Sequence, residues 1–511
     1  MRNRNYPYYK VAEPTDLREL LAYGADAFGD RTAFCWRHGG AVTDVSYARF
    51  AADVAALGTY LLHSGYRNAH IGLIGENSYA WVVSYFAVVN SGNVLVPLDK
   101  EATAADIAFQ LDKSDASLLL HAKGYADIAA HCRIACRSLQ DFDAWLETGR
   151  ALLEDGDRSF AETVIDRDRM CAIVFTSGTT GQPKGVMLSH KNLVTDVVLA
   201  SKNLYLAGGT VALLPFYHTY GFVAGVLAQL LRGYPTFINS SLKRAFADIQ
   251  AARPQQVAVV PMLLAAIYEK IWVGIRAAGK ERLVRAVICV SNALLHIGID
   301  IRGAALDAKY VRGFRELGIQ VINGYGITEC SPIVATMRNR HYAPTSTGKV
   351  HPGVQVRVVD EEIQVAGPTV FLGYYKDTAA TNAAFDGMWF KTGDLGYLDA
   401  DGLLYITGRK KNLIILSNGK NVAPEALEEL LMREIPEIKE VLVYGEQDGI
   451  VAECFPDEEV QDAARIIREK IDALNRSLPS YKQIASVRFR QTEFPKTTTK
   501  KIKRIREEET C

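Results

Sequence analysis

The sequence predicts an α/β fold: a large N-terminal domain of several subdomains, with mixed α/β sheets and a β-rich part, followed by a small α+β C-terminal domain. Three observations carry that prediction. From residue 69 onward, short apolar runs alternate with amphipathic helical stretches, the pattern of sheets covered on both faces. Near residue 354 the texture changes to strand-like alternation of apolar and polar residues. Beyond residue 408 a compact succession of strands and helices begins again. At 511 residues, 49% hydrophobic and 23% charged, the chain is too long for one core and too apolar to stay disordered.

Taken in order, His70–Ile74 reads as a strand, residues 80–90 as a helix, Val94–Pro97 as a strand, 104–111 as a helix and 116–120 as a strand. Further strands are predicted at 171–175, 211–214, 256–260, 286–290 and 320–322. The longest apolar stretches, 220–231 and 257–268, fall short of the roughly 20 residues that cross a bilayer and are predicted to be buried helices. Strands at 354–359, 362–365 and 403–406, the last entered through a turn at 399–402, define a β-rich subdomain spanning about residues 340–408. After Gly408 come a strand at 413–416, a glycine turn at 417–420 and a helix whose Pro424 suits a first turn. Strands at 441–444, 451–455 and 486–490 and a helix at 462–474 complete the second unit, so the expected domains are 1–408 and 409–511.

Lys and Arg together number 58, as do Asp and Glu, so no net field gathers nucleic acid or an anionic membrane around the protein. The expected partners are small molecules. The 8 cysteines are scattered, and Cys132 and Cys136 stand one residue too far apart for C-x-x-C. They are read as free thiols of a reducing cytosol. Residues 1–10 lack an apolar h-region, so neither a cleaved leader nor secretion is expected. The expected protein is soluble and cytoplasmic, not an integral membrane protein.

The most informative stretch is Thr176, Ser177, Gly178, Thr179, Thr180, Gly181, Gln182, Pro183, Lys184 and Gly185, directly after the apolar run 171–175. Glycines let backbone N–H groups turn onto an anion, the hydroxyls add donors and Lys184 adds charge, which suits a polyphosphate. It is not a Walker A loop, because Gln182 and Pro183 separate Gly181 from Lys184. Alone, such a stretch is a surface turn; ten residues of this composition behind a strand, with other motifs downstream, favour the phosphate loop. Residues 177–185 resemble the signature loop of the acyl-adenylate-forming (AMP-binding) superfamily, which holds acyl-CoA synthetases, luciferases and the adenylation domains of peptide synthetases. The resemblance continues in order across almost the whole chain.

Residues 215–221, Pro-Phe-Tyr-His-Thr-Tyr-Gly, resemble the family's aromatic/His motif beside the acyl pocket, which implies that His218 lines the meeting point of acyl carboxylate and ATP. The stretch offers no carboxylate, which argues against an amino-acid substrate. Residues 323–329 resemble the motif that flanks adenine: with Asn323, Gly324 and Gly326 forming the motif, the resemblance implies that Tyr325 stacks on the base, Thr328 contacts the α-phosphate and Glu329 ligates Mg²⁺. A carboxylate is the chemically suitable ligand, because Mg²⁺ prefers oxygen donors shared with phosphates. By the same resemblance Asp394 holds the ribose hydroxyls, Arg409 contacts ribose or phosphate, and Lys411 is the hinge about which a mobile C-terminal domain rotates. The C-terminal motif 495–504 implies Lys501 as the catalytic lysine of the first half-reaction, with Lys500 standing where the family commonly has Gly.

The spacing back from Gly324 points to Gly303 and Ala304 as the small residues flanking adenine, although Arg302 replaces a glycine there and the stretch 290–302 is shortened. Ser291, Asn292 and Ala293 compete for that wall. The resemblance implies ATP and Mg²⁺ as cofactors, and activation of a carboxylic acid as acyl-AMP with release of pyrophosphate. Residues 416–422, similar to bacterial long-chain fatty-acid ligases, point to a medium- or long-chain fatty acid and to coenzyme A as the accepting thiol. The alternatives are an acyl-AMP ligase that loads a carrier protein and a nucleotide-binding relative with impaired turnover.

Overall fold

The computed structural model describes residues 6–38, 41–176, 183–285, 312–339, 343, 345–416, 420–446, 449–496, 502 and 504. A six-stranded sheet runs, from edge to edge, Ala135–Ser138, Ala116–His121, His70–Ile74, Val94–Pro97, Met170–Thr176 and Lys184–Ser189. Its first five strands are parallel and the last turns back antiparallel, so that Thr176 faces Lys184 across the ladder. The hairpin therefore brings together the two ends of the predicted phosphate loop. Ser177, Gly178, Thr179, Thr180 and Gly181 lie outside the described residues.

Burial on both faces explains the apolar character of this layer. The helix Tyr79–Asn90, capped by the Ser78 hydroxyl, is apolar nearly all round, and Trp81 and Phe86 are 1% and 0% exposed. Removing such a ring from water stabilises the fold by roughly 1.5–3 kcal/mol. A four-stranded sheet adds Ala41–Ser46, Thr32–His38, Thr236–Ile238 and Thr210–Ala212. A third, antiparallel sheet contains the predicted β-rich strands as Gln355–Val359, Glu362–Ala366 and Leu403–Arg409, joined by Trp389–Leu398 and Gly348–Val350. It also recruits Ile333–Thr336 and Gly324–Gly326, upstream of residue 340.

One apolar cluster extends from Leu17 to Leu404, and another from Ile414 to Ile484 gives the C-terminal unit its own core. That unit packs the helices Pro424–Glu434 and Ala463–Asn475 on strands Ile438–Glu446, Gly449–Pro456 and Ile484–Phe489. Pro424 stands in the helix's first turn, where its missing N–H is lost at no cost.

Five predicted elements differ. Residues 256–260 form no strand: Gln256 makes a single bridge to Thr210, boxed in by the left-handed Arg253 (φ 45°) and the helix start at Pro261. Residues 320–322 are irregular, because the ladder opens at Gly324 opposite Thr336. The strand predicted at 211–214 ends at Ala212, where Asn77 takes over: its Nδ2 donates to the Leu214 carbonyl at 2.9 Å and its Oδ1 accepts from the Phe216 N–H at 2.9 Å. The stretch 257–268 is not a buried helix. The helix runs Pro261–Ala277 with Val273 48% exposed, Leu264 packing with Phe314 and Val321 and Leu263 against the cluster of Val211, Leu213 and Phe237. At 413–416 pairing narrows to Ile414–Ile415, and the predicted strand at 286–290 lies outside the described residues.

Buried His190 illustrates how packing sets pH response. Desolvation pushes its imidazole down to about 4, opposed by Asp16 and a hydrogen bond to the Val89 backbone. The unfolded ring titrates near 6.5, so this contribution to stability is complete above that pH and is lost as pH falls toward 4. Its size is on the order of 3 kcal/mol. Urea midpoints measured at about pH 7 and about pH 4 are expected to fall less in His190→Gln than in wild type.

Candidate active site

Strand Lys184–Ser189 has an irregular neighbour, residues 372–375. The Leu372 N–H donates to the Met187 carbonyl at 3.0 Å, Met187 N–H to Gly373 at 3.0 Å, and Tyr375 N–H to Gly185 at 2.8 Å. This pairing aims Tyr374 between two predicted site residues. Lys184 Nζ lies 5.0 Å from the Tyr374 ring centre, within cation–π range. The phenol donates to Glu329 Oε1 at 3.0 Å. Sequence reasoning missed Tyr374, since nothing local distinguishes it from other aromatics in a β-rich stretch.

Glu329 belongs to the one-turn 3-10 helix Thr328–Cys330, which also carries the half-buried Thr328. Burial raises the Glu329 carboxyl above its ordinary range, while its backbone, Tyr374 and Arg409 favour the ionised form and Asp394 opposes it. The preceding strand, Gly324–Gly326, pairs with Ile333–Thr336 and sets Tyr325 opposite Ala335. A Cβ at Gly326 would meet the Pro332 carbonyl oxygen at 2.1 Å, so this turn accepts no side chain there. Asn323 bridges outward, its Nδ2 donating to the Ser346 carbonyl at 3.0 Å and its Oδ1 accepting from Gly324 N–H at 3.0 Å.

Asp394, 3% exposed, is the meeting point of three elements. The Tyr325 phenol donates to its Oδ2 at 2.6 Å, and Arg409, paired with it across the ladder, places Nε 2.5 Å from Oδ1. Its backbone N–H donates to the Thr392 hydroxyl at 3.0 Å. One residue further, Lys410 pairs with Glu362 at 2.8 Å, and Glu362 also accepts the Gly393 N–H at 3.1 Å. The Lys411 ammonium is lowered below its ordinary range by burial, with Arg409 and Arg504 nearby as like charges.

Contacts form two groups, Lys184–Tyr374–Glu329 and Tyr325–Asp394–Arg409, and the charges of Arg409 and Asp394 act on Glu329, so that cations, carboxylates and phenols spread over 226 residues of sequence lie near one another. Such a cluster suits a nucleotide, with an acidic socket for hydroxyls and cationic groups for phosphates. Glu329 is a half-buried carboxylate, and among the described residues no cluster of three metal-ligating side chains occurs. That donor set fits Mg²⁺, which keeps waters and phosphate oxygens as its remaining ligands. His218 is carried by a different wall, capping the short helix Thr219–Phe222 with its ring 4.6 Å from that of Tyr217. Two residues on, Tyr220 is 42% exposed. Gly303, Ala304 and Lys501 lie outside the described residues.

This fold is that of an AMP-binding enzyme. The chain belongs to that family, whose model matches residues 21–375, and a model of the AMP-binding enzyme C-terminal domain matches residues 411–510. A long-chain-fatty-acid–CoA ligase of Mycobacterium tuberculosis is 29% identical over 459 residues, covering 80% of this chain and 76% of the relative. A feruloyl-CoA synthase of an Amycolatopsis species is 29% identical over 487 residues, covering 91% and 93%. Among solved structures, an anthranilate CoA ligase in complex with anthranoyl-AMP superposes with a TM-score of 0.80 at 20% identity, covering 98% of this chain and 96% of that one. The o-succinylbenzoate coenzyme A synthetase of Bacillus subtilis, in complex with ATP and magnesium ion, gives 0.75 at 22%, covering 94% and 98%. No helix among the described residues is long and apolar enough to cross a membrane.

Proposed function

We propose that the protein is an AMP-forming acyl-CoA synthetase: it activates a medium- or long-chain fatty acid with ATP, releasing pyrophosphate, and transfers the acyl group to coenzyme A. The observation that carries this reading is the contact chain from Lys184 through Tyr374 to Glu329, which links a cation at the end of the phosphate loop to a half-buried carboxylate. A carboxylate is a poor electrophile, and attack on the α-phosphate of ATP converts it into a mixed anhydride with AMP as leaving group.

In this reading Lys184 and the loop 176–181 hold the phosphates, Thr328 contacts the α-phosphate, and Asp394 and Arg409 hold the ribose. Tyr325 and Asn323, with Gly324, Gly326, Gly303 and Ala304, surround the base. Mg²⁺, held by Glu329, would supply positive charge against the oxygens that gain charge during transfer. His218 and Tyr220 line the entry of the acid. Lys501 approaches on a separate lobe, residues 409–511, that turns about Lys411 after the first half-reaction so that the thiol can attack. The fatty acid is favoured by the similarity of residues 416–422 to bacterial long-chain ligases, and by relatives that include a fatty-acid–CoA ligase. We place the enzyme in the cytoplasm, in line with its scattered free cysteines.

The test is ATP–pyrophosphate exchange driven by a panel of acids of graded chain length, followed by addition of coenzyme A or a holo-carrier protein to the preformed adenylate. Exchange that peaks with a medium or long chain and thioester formation on coenzyme A are expected. Exchange indifferent to every acid would refute the reading, and acylation of the carrier alone would reassign the acceptor.

A further inference from the structure

The helix His190–Asn203 carries none of the residues assigned above, yet it bears buried polar side chains at 192, 196 and 203, spaced to share one face. Each reaches a different strip of the site. Asn192 Nδ2 donates to the carbonyls of Pro368 at 2.8 Å and Val370 at 3.0 Å, on the approach to Tyr374. Asn203 Nδ2 donates to the Thr336 carbonyl at 3.0 Å, at the end of the strand that pairs with Tyr325. Asp196 Oδ1 accepts the Ile333 N–H at 3.0 Å, four residues beyond Glu329.

Asp196 is the least expected of the three as a stabilising residue. Its side chain is 0% exposed, and its second oxygen, Oδ2, has no hydrogen-bond partner among the described residues. The helix fills its neighbouring buried positions with Leu193, Val194, Val197 and Val198. A carboxyl with one orphaned oxygen is a poorer core residue than any of these. What it supplies and they cannot is an acceptor at a fixed height for one backbone N–H. The segment from Glu329 to Ile333 is otherwise tied by Phe371 N–H to the Glu329 carbonyl at 2.9 Å, Ile327 N–H to Pro332 at 2.9 Å and the Ser331 hydroxyl to Thr369 at 2.7 Å.

We propose that Asp196 is a positioning residue for Glu329: by accepting the Ile333 N–H it sets the level of the 328–333 turn and thereby the place of the Glu329 carboxylate beside metal and phosphate. This rests on the reading of Glu329 as the Mg²⁺ ligand. Without Asp196 the Ile333 N–H is left in the interior without an acceptor, and the turn shifts to find one. A displacement near 1 Å is enough to cost a reaction about a hundredfold.

The experiment compares full-length wild type, Asp196→Ala and Asp196→Asn by amide hydrogen exchange across residues 327–334, by the Mg²⁺ dependence of ATP–pyrophosphate exchange, and by calorimetric binding of ADP with and without Mg²⁺. In Asp196→Ala, exchange at Ile333 is expected to quicken and half-saturating Mg²⁺ to rise about tenfold, with KM for ATP at saturating Mg²⁺ within about twofold. Asp196→Asn keeps an oxygen for the same N–H and is expected to restore both. An Asp196→Ala protein with wild-type exchange at Ile333 and wild-type Mg²⁺ dependence would overturn the proposal, and so would an Asn variant that rescues neither. If no acid drives turnover in the wild type, the functional reading fails, while hydrogen exchange and Mg²⁺-dependent ADP binding still decide whether Asp196 positions the turn.

Discussion

Glu329→Gln is expected to lower acid-dependent ATP–pyrophosphate exchange by about 10²–10³-fold while leaving the protein as stable as wild type at neutral pH. The two halves of that expectation have one cause. Burial raises the Glu329 carboxyl, so its charged form is the costly one in the folded protein. A carboxyl whose folded value is raised contributes stability at low pH and loses it as pH climbs through the window between the unfolded and folded values. Gln has the same shape without the charge, and its carbonyl can still accept from Tyr374, so thermal unfolding at neutral pH is not expected to worsen. Mg²⁺ binding needs the ionised form, so wild-type kcat/KM is expected to fall on the acid side with a midpoint above the ordinary glutamate value of 4.5. A Gln variant that keeps wild-type exchange and the wild-type acid limb would remove Glu329 from the metal site.

Lys501→Ala is expected to show the second large effect, and on one half-reaction only. Formation of acyl-AMP should drop by about 10²–10³-fold, because a positive charge at the developing phosphate charge is lost. Attack of coenzyme A on acyl-AMP supplied from outside should stay within about threefold of wild type, since in the proposed mechanism that step does not use this lysine. The flanks of Lys501 belong to that lobe: Ile502 bridges to Lys496, and Arg504 donates to the Val443 carbonyl at 3.1 Å and pairs with Glu428. A Lys501→Ala enzyme that adenylates at the normal rate would move the role to Lys500, which the matching Lys500→Ala variant tests directly.

Comparison of particular elements shows where sequence reasoning holds and where it stops. The parallel strands were legible because burial on both faces writes itself locally as apolar runs, as in His70–Ile74 and Val94–Pro97. So was the helix at Pro424, through a backbone rule that acts within one turn. Residues 211–214 defeated the same reasoning, because the strand ends where a side chain 135 residues away, Asn77, replaces the ladder at Ala212. Residues 256–260 look like a strand by composition, and only the surrounding backbone limits them to a bridge.

By itself, the chain of residues determined the chemistry: which glycines, hydroxyls, carboxylates and cations are available for a nucleotide, and in what order they occur. Those are properties of side-chain type and close spacing, and both survive in an unfolded chain. The tertiary structure alone decided who touches whom. Tyr374 stands between Lys184 and Glu329, Tyr325 and Arg409 converge on Asp394, and a buried carboxyl at 196 sits behind the turn that carries Glu329. These contacts join residues 15 to 190 positions apart, pairings that local pattern does not specify and only packing brings together.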